Sequence, residues 1–348
     1  MNRRLKRAFY NSLAATGLAA LIRPLLNGRG TILMFHRVLA DPPATDYGPS
    51  ADLAVSPEAF RRTVEYLRKS GHDIVSLDEG LQRLRGKSAD RRFACLTFDD
   101  GYRDNYEIVF PLCKEMEIPF TIYVTTGMID GQVKLWWYGL EEIIHKNELL
   151  RLPQDFETQE ISTRTFTEKA AAYDRVDTWM RRVTEEARAG MIEHLERTYD
   201  FDFAALSLGQ TMTWQMVKEL AESELAEIAG HTVSHPTLSK LPEAEARREI
   251  EQGREILQSR TGRPVRHFAY PFGSVAEAGE REFEICRDLG FVTATTTRAG
   301  NLLTRHGNSA HSLPRIAVVA DETIATLKVD LTRVPGMMRA ISHALRGG

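Results

Sequence analysis

The 348-residue chain contains few cysteines, and the three it has are widely separated: Cys95, Cys113 and Cys286. This odd number at these spacings excludes a disulfide framework and a zinc-finger pattern. Each cysteine lies in an apolar stretch. We therefore expect three buried free thiols, which is typical of proteins from a reducing compartment.

An excess of charge of either sign is also missing. Lys and Arg number 45 and Asp and Glu number 48, so the formal net charge is −3. This balance does not favour a nucleic-acid partner. Apolar residues make up 43% of the chain and charged residues 27%, which is typical of a soluble globular protein. The sequence shows no internal repeat and no low-complexity tract.

The N-terminal apolar stretch Ser12–Ile22 is too short to span a bilayer. It follows several basic residues, as in a signal peptide, but Arg23 and Pro24 interrupt it and no clear cleavage site follows. We predict that residues 1–30 form a basic, apolar helix that docks on the domain or contacts a membrane surface. The expected location is cytoplasmic, with membrane association through this helix; an export signal is the alternative.

Short apolar runs separated by helical patterns predict an α/β fold. Most runs are continuous rather than alternating, as expected of strands covered on both faces. Strands that alternate with helices indicate parallel pairing and right-handed crossovers, here in a partly open (β/α)7 barrel. The predicted strands are Thr31–Phe35, Phe93–Phe98, Phe120–Val124, Glu227–Ala229, His267–Tyr270, Phe291–Thr295 and Ile316–Val319.

The segment between the third and fourth predicted strands is much longer than one crossover requires. It includes Leu135–Tyr138 (LWWY) and then polar sequence that favours helices. We predict a helical insertion at about residues 130–215, beside the mouth of the barrel, where loops carry function. The barrel with this insertion is predicted over residues 31–330, and residues 331–348 are predicted to be a C-terminal tail.

Two adjacent carboxylates, Asp99 and Asp100, follow the second predicted strand in the stretch TFDDG. Adjacent carboxylates repel each other and resist burial, so their position requires an explanation. In parallel α/β barrels the active face lies at the carboxyl ends of the strands, where this pair is expected. A solvated Asp-Gly turn is the structural alternative.

His231 and His235 follow the fourth predicted strand in the stretch GHTVSH. Two histidines at this spacing can bind one metal ion, although the spacing alone is more often coincidental. Here both are expected on the same barrel face as Asp100. The three residues predict a catalytic divalent metal site, most suited to Zn²⁺, with one position left for water. Asp99 would then take a proton from that water.

The stretch AYPFG follows the fifth predicted strand. A strand that ends in a proline-containing turn is the structural interpretation. In the functional interpretation, Tyr270, Pro271 and Phe272 form an aromatic wall for a sugar ring. A backbone N–H of the turn would donate to a developing oxyanion.

The three motifs, in this order, resemble those of the polysaccharide deacetylase family, the NodB-homology domain of carbohydrate esterase family 4. The resemblance runs from about Thr31 to Val319. It implies a metal-dependent hydrolase that removes N-acetyl groups from N-acetylglucosamine-containing oligo- or polysaccharide, as chitooligosaccharide and exopolysaccharide deacetylases do. It assigns Asp99 as general base, Asp100, His231 and His235 as metal ligands, and the Phe272 N–H as oxyanion donor.

The chain departs from the family pattern at two places. The resemblance implies an arginine two residues before the proline of the third motif, where this chain has Ala269. Arg315, at the start of the last predicted strand, is the candidate to supply that charge to Asp99. A clear Asp-x-x-Asp-Trp motif after Gly273 is missing.

The resemblance implies a histidine near the last strand as the general acid, which would protonate the leaving amine. His311 is the preferred candidate, and His306 and His36 are the alternatives. A role in a surface loop is the structural interpretation for each of them. Trp137 is predicted to stack on a sugar face together with Tyr270 and Phe272.

Two other functions stay open. The missing arginine and aspartate motif favour a catalytically silent glycan-binding module, whereas the intact base and metal ligands favour an enzyme. An amidohydrolase that acts on a small cyclic amide is the third interpretation. Acetate release from N-acetylglucosamine oligomers would separate them.

Overall fold

The computed structural model describes residues 28–41, 47–86, 91–154, 156–319 and 323–331. Nearly all of the predicted N-terminal helix, residues 1–30, and nearly all of the predicted C-terminal tail lie outside these residues. No helix within the described ranges is both long and apolar enough to cross a membrane.

The strands, in chain order, are β1 Gly30–Phe35, β2 Arg37–Val38, β3 Ala54–Val55, β4 His72–Ile74, β5 Arg92–Phe98, β6 Phe120–Val124, β7 Leu149–Arg151, β8 Glu160–Ser162, β9 Ala226–Gly230, β10 His267–Ala269, β11 Thr293–Ala299 and β12 Leu313–Ala317.

The helices are α1 Gly48–Leu53, α2 Pro57–Lys69, α3 Leu77–Arg85, α4 Phe110–Met116, α5 Thr126–Ile129, α6 Trp136–Lys146, α7 Phe166–Met180, α8 Glu185–Tyr199, α9 Phe203–Gln210, α10 Trp214–Glu222, α11 Glu243–Thr261, α12 Glu280–Asp288 and α13 Ile324–Asp330. A π-helical turn precedes α4 at Asn105–Val109, and 3₁₀ turns lie at Leu238–Lys240 and Thr304–Gly307.

Seven parallel strands form the barrel in the spatial order β1, β12, β11, β10, β9, β6 and β5. The ring closes because β5 pairs with β1 over its length, from Gly30 opposite Phe93 to Phe35 opposite Phe98. The short strand β4 pairs with the amino end of β5. The predicted α/β barrel of seven strands is confirmed, and hydrogen bonding between β1 and β5 closes the ring that the sequence suggested would be partly open.

The strand residues are buried on both faces, which explains their continuous apolar runs. On the outer face, Phe35 stacks on Phe98, with ring centroids 5.2 Å apart, and packs edge-on against Phe60 of α2. The N-terminus of α2 is capped by Ser56, whose side chain accepts a hydrogen bond from the Ala59 N–H. The three cysteines are buried free thiols, as predicted.

The chain between β6 and β9 folds beside the barrel as helices α5 to α10 with the β7–β8 hairpin. Most of these elements share an apolar core of their own, whereas α10 packs in the barrel core through Val217 and Leu220. The separate core includes Trp136, Ile143, Val176, Met191 and Phe203. Helix α6 begins with Trp136 and Trp137. Because the Trp137 ring packs on His235, this end of the helix lies at the carboxyl end of the barrel.

Candidate active site

The side chains predicted to carry chemistry come from loops at the carboxyl ends of several barrel strands. Asp99 and Asp100 follow β5 directly, His231 follows β9, Phe272 lies in the turn after β10, and His36 follows β1. Because all these strands are parallel, their carboxyl ends meet at one mouth of the barrel.

Asp100, His231 and His235 converge as predicted. The Nε2 atoms of both histidines lie 3.3 Å from Oδ1 of Asp100, and all three residues are buried. Nδ1 of His231 lies 2.7 Å from the carbonyl oxygen of Ala269. That contact requires a proton on Nδ1, so Nε2 of His231 presents a lone pair to the cluster.

This cluster fits a divalent cation. Oδ1 of Asp100 is buried and makes no hydrogen bond with any residue that the structure describes, although two imidazole nitrogens face it. A buried orphaned carboxylate oxygen is costly unless a cation satisfies it. Two imidazoles and one carboxylate form a three-ligand set that suits Zn²⁺.

The electrostatics of the cluster keep its ligands in the forms that bind metals. Burial alone would raise the pKa of Asp100, but the two facing imidazoles outweigh it and hold the pKa well below its usual value. Burial lowers the pKa of His235, although Asp100 opposes this. An ionised carboxylate and a neutral imidazole are the forms that a metal requires.

The backbone at the site is left-handed at four non-glycine residues: Asp100 with φ 77°, Thr232 with φ 68°, His235 with φ 55° and Phe272 with φ 58°. Each such residue costs roughly 1–2 kcal/mol. Strain of this kind persists where the surrounding structure enforces it, and it concentrates at functional sites.

Helix α11 holds the histidine loop in this conformation. The Glu249 carboxylate accepts hydrogen bonds from the N–H groups of Val233 and Ser234, at 3.0 and 2.9 Å, and from the Ser234 hydroxyl at 2.8 Å. Gly253, on the next turn of the same helix, lies so close to the loop that a Cβ there would be 2.9 Å from the carbonyl carbon of Thr232. The loop is therefore fixed by both a carboxylate and a close backbone approach.

Asp99 lies beside the cluster in a bidentate ion pair with Arg315. Nη1 of Arg315 is 2.6 Å from Oδ1 and Nη2 is 2.7 Å from Oδ2. Both side chains are buried, and Nε of Arg315 donates to the carbonyl of Thr296 at 3.0 Å. Burial would raise the pKa of Asp99, but the guanidinium of Arg315 outweighs it, so the pKa lies below its usual value. Asp99 is therefore an ionised carboxylate of fixed orientation.

His36 is the candidate acid that the structure brings to this site. Its Nε2 lies 3.9 Å from Oδ2 of Asp99, and its side chain is 17% exposed. Its carbonyl accepts a hydrogen bond from the Asn105 side chain at 2.9 Å. The next residue, Arg37, donates from Nε to Oδ1 of Asp104 at 2.8 Å, and Asp104 Oδ2 accepts from the Val38 N–H.

The preference for His311 as the general acid is wrong. His311 precedes β12, and its Nε2 lies 2.8 Å from the carbonyl oxygen of Phe291, which precedes β11. Both residues are therefore at the amino ends of their strands, opposite to Asp99. His306 is also remote, because its ring accepts from the Leu303 N–H in a turn that packs on α3 through Arg85.

The predicted aromatic wall is also corrected at Tyr270. This residue is fully buried, and its hydroxyl donates to the carbonyl of His311 at 2.9 Å. Its ring packs against Phe268 and Phe283 in the core. A ring without exposed surface cannot stack on a sugar. Pro271 is buried too, and of this turn's aromatic residues Phe272 alone is partly exposed.

Trp137 packs against the metal cluster and exposes little of its surface. It is 7% exposed, and its Nε1 donates to the Tyr102 hydroxyl at 3.1 Å. Its ring centroid lies 5.5 Å from that of His235. The ring of Phe272 packs on the other side of the mouth, 4.8 Å from His235, and the Arg181 guanidinium lies 4.8 Å above it.

Glu249, Asp104 and Arg181 were missed by the sequence motifs. Asp104 lies three residues after TFDDG, and its partner Arg37 directly follows His36. These charged residues next to candidate site residues were the sequence signal that could have identified Asp104. Glu249 lies in α11 and Arg181 directly follows α7, and no local pattern marks either residue.

Comparisons with known proteins agree with this architecture. A family model described as polysaccharide deacetylase matches residues 86–294. The Bacillus subtilis (strain 168) protein "Putative polysaccharide deacetylase YxkH" is 27% identical over 94 residues, which cover 27% of this chain and 30% of that protein.

Two solved structures share the fold over most of the chain. The deacetylase PplD of Streptococcus pyogenes, solved in complex with acetate, is 18% identical, with a TM-score of 0.56, and the match covers 85% of this chain and 95% of PplD. The de-N-acetylase from Aggregatibacter actinomycetemcomitans is 16% identical, with a TM-score of 0.55, and the match covers 86% of this chain and 99% of that one. The family model spans more than half of the sequence and contains both the aspartate pair and the histidine pair, so the chain belongs to the polysaccharide deacetylase family.

Proposed function

We propose that the protein is a metal-dependent hydrolase that removes N-acetyl groups from N-acetylglucosamine-containing oligo- or polysaccharide. One observation carries this proposal. The ionised carboxylate of Asp99, held by Arg315, lies directly beside a buried cluster of Asp100, His231 and His235 that fits a divalent cation. A base next to a three-ligand metal site is an arrangement that suits metal-assisted amide hydrolysis.

Asp100, His231 and His235 would hold the ion, and zinc suits this donor set best. When bound, such an ion polarises the acetamide carbonyl and lowers the pKa of a water molecule. His231 keeps Nε2 free for the ion because its Nδ1 proton is donated to Ala269.

Asp99 accepts the proton of the attacking water in this proposal. Arg315 keeps the carboxylate ionised and restricts its rotation, because it occupies both oxygens. The Phe272 N–H has no acceptor among the described residues and lies in the left-handed turn beside His235. In this proposal it donates to the oxyanion, and the loss of such a donor costs about 3 kcal/mol.

His36 protonates the leaving nitrogen. An amide nitrogen is a very poor leaving group as an anion, so the reaction needs an acid within reach of the leaving nitrogen. Within the described residues, His36 is the histidine outside the metal cluster whose ring contacts Asp99, at 3.9 Å. Its partial exposure permits exchange of its proton with solvent between turnovers.

A glycan substrate is supported by the partly exposed ring of Phe272 at the mouth, since an aromatic face suits the apolar face of a sugar ring. The names of two similar proteins, a deacetylase in complex with acetate and a de-N-acetylase, support acetyl removal as the reaction class. Membrane contact through residues 1–30 and a cytoplasmic location remain proposals from the sequence.

Acetate release from N-acetylglucosamine oligomers tests the proposal. Protein stripped by a chelator should release no acetate, and zinc should restore the release, whereas Asp99→Asn should stay inactive after zinc is added. Binding of the oligomers without acetate release by zinc-loaded wild type would indicate a silent binding module. Activity on small cyclic amides alone would indicate the other substrate class.

A further inference from the structure

A second group of metal-ligating side chains lies at the amino end of the barrel. Asp78 in the first turn of α3, Glu227 in β9 and His267 at the start of β10 have ligand atoms that all lie within 4.8 Å of one another. Glu227 lies in β9, four residues before His231, which directly follows the same strand. At about 3.3 Å per residue the two clusters are roughly 13 Å apart, so one ion cannot serve both.

His267 is the centre of this group. It is fully buried, and its Nδ1 lies 2.8 Å from the Thr293 hydroxyl oxygen. Its Nε2 points at two carboxylates, 3.1 Å from Oε1 of Glu227 and 3.5 Å from Oδ1 of Asp78. This Nε2 atom nevertheless makes no hydrogen bond with any described residue. A buried ring nitrogen that faces two carboxylate oxygens without a hydrogen bond needs a proton or a bound cation between them.

Each ligand is held from behind by a neighbour, as in built metal sites. Thr293 holds the far side of the imidazole. Nη1 of Arg266 lies 2.8 Å from Oδ2 of Asp78, and the Thr121 hydroxyl donates to Oε2 of Glu227 at 3.4 Å. These contacts leave Oδ1 of Asp78 and Oε1 of Glu227 for the common centre.

The site is open to ions from solvent. The side chains of Asp78 and Glu227 are 30% and 29% exposed, so an ion can enter and keep water ligands. The two carboxylates of Asp78 and Glu227 against the one guanidinium of Arg266 leave a net charge of −1 beside the imidazole, which favours a divalent cation. An imidazole ligand excludes a preference for Mg²⁺ or Ca²⁺ and favours zinc or a similar transition-metal ion.

We propose that Asp78, Glu227 and His267 form a second, structural site for a divalent transition-metal ion of the zinc class. The ion would link α3 to β9 and β10 at the end of the barrel opposite the catalytic mouth. It would serve stability rather than turnover, because the catalytic base, Asp99, lies at the other end. The site does not depend on the proposed function.

Zinc stoichiometry tests the second site. The full chain is stripped with a chelator, dialysed against zinc and assayed by elemental analysis. Wild type should hold two zinc ions per chain, and Asp78→Asn should hold one. The matched control is Glu79→Gln, which removes the adjacent carboxylate that pairs with Arg83 and should leave two ions.

A melting experiment keeps the test independent of activity. In an Asp100→Asn, His235→Gln background, zinc at one hundred times its Kd should raise Tm by about 4 °C. Addition of Glu227→Gln to that background should abolish the rise. A wild-type zinc content that Asp78→Asn does not lower, or a Tm that zinc does not change in the background variant, would overturn the second site and leave a histidine–carboxylate contact. Acetate release by wild type reports on the proposed function separately.

Discussion

The guanidinium of Arg315 binds both carboxylate oxygens of Asp99, and the two residues come from strands that are not adjacent in the barrel. Arg315 lies in β12 and Asp99 follows β5, with β1 between them. Arg315, on the other side of β1, therefore supplies to Asp99 the positive charge that is missing at Ala269 in the third motif. Since the pair is buried, it sets both the ionisation and the orientation of Asp99.

Arg315→Met should shift the acid limb of the kcat/KM profile to higher pH. Asp99 acts as a base only when it is ionised, and Arg315 lowers its pKa, so removal of the guanidinium raises that pKa. A buried carboxylate without its partner should also lower the free energy of unfolding by about 3–5 kcal/mol. The measurements are a pH–rate profile and a denaturant titration.

Arg315→Lys is the control for charge. It retains one cation but loses the bidentate geometry, so its acid limb should lie between those of wild type and Arg315→Met. A folded Arg315→Met enzyme with an unchanged acid limb would show that the ion pair does not tune the base.

Asp99→Asn should reduce kcat by about 10²- to 10⁴-fold while the zinc content of the catalytic cluster stays the same, because a general base contributes a factor of this size. Asp99 contacts Arg315 rather than the ligand cluster. Asp100→Asn should instead lose zinc from that cluster. Elemental analysis beside single-turnover kinetics separates the two. Equal loss of zinc in both variants would contradict the division of roles between adjacent aspartates.

His36→Gln should reduce kcat by about 10²- to 10⁴-fold with little change in KM, because it removes the proton donor for the leaving amine. His311→Gln is the matched control. That ring contacts the Phe291 carbonyl at the far end of the barrel, so turnover should stay near the wild-type value. A His311 variant with lost turnover and intact fold would reverse the assignment. Steady-state kinetics and circular dichroism of both variants are the measurements.

Glu249→Gln should weaken zinc binding at the catalytic cluster by about 10- to 100-fold, the usual cost of losing a residue that orients a metal ligand. Its carboxylate holds the loop between His231 and His235 through two N–H groups and a hydroxyl. Glu255→Gln, exposed on the same helix, is the control. Chelator competition gives the affinities. Unchanged affinity would mean that the loop keeps its conformation without Glu249.

Phe272→Ala should raise KM for N-acetylglucosamine oligomers about 3- to 10-fold, as expected for the loss of one stacking ring. The backbone N–H of residue 272 remains, so kcat should change less. Trp137→Phe should leave KM unchanged, because that ring is buried against His235. A raised KM in Trp137→Phe, with normal zinc affinity, would restore the prediction that Trp137 contacts the sugar.

The sequence predicted the barrel well because doubly covered strands have apolar residues on both faces. Its largest displacement is in the sixth strand, predicted at Phe291–Thr295 and observed at Thr293–Ala299. Phe291 is apolar because it packs on Phe268 before the strand begins. The later strand residues are mostly threonines, so they gave no apolar run.

The metal cluster was predictable because its residues directly follow strand ends, and topology alone brings such positions together. The general acid and the sugar-contacting rings were not. His311 precedes its strand, so the direction of the chain placed it at the wrong end. Burial of Tyr270 depends on packing with Phe283 of α12, which no local pattern reveals.

The chemistry at the base depends on where a cation lies in space rather than on which strand carries it. Arg315 reaches both carboxylate oxygens of Asp99, although the third motif has Ala269 in place of an arginine. A family member can therefore lack the arginine of the third motif and still have a cation beside its base. Motif searches that require an arginine in the third motif would class such members as inactive, whereas a search for a cation beside the first aspartate would retain them.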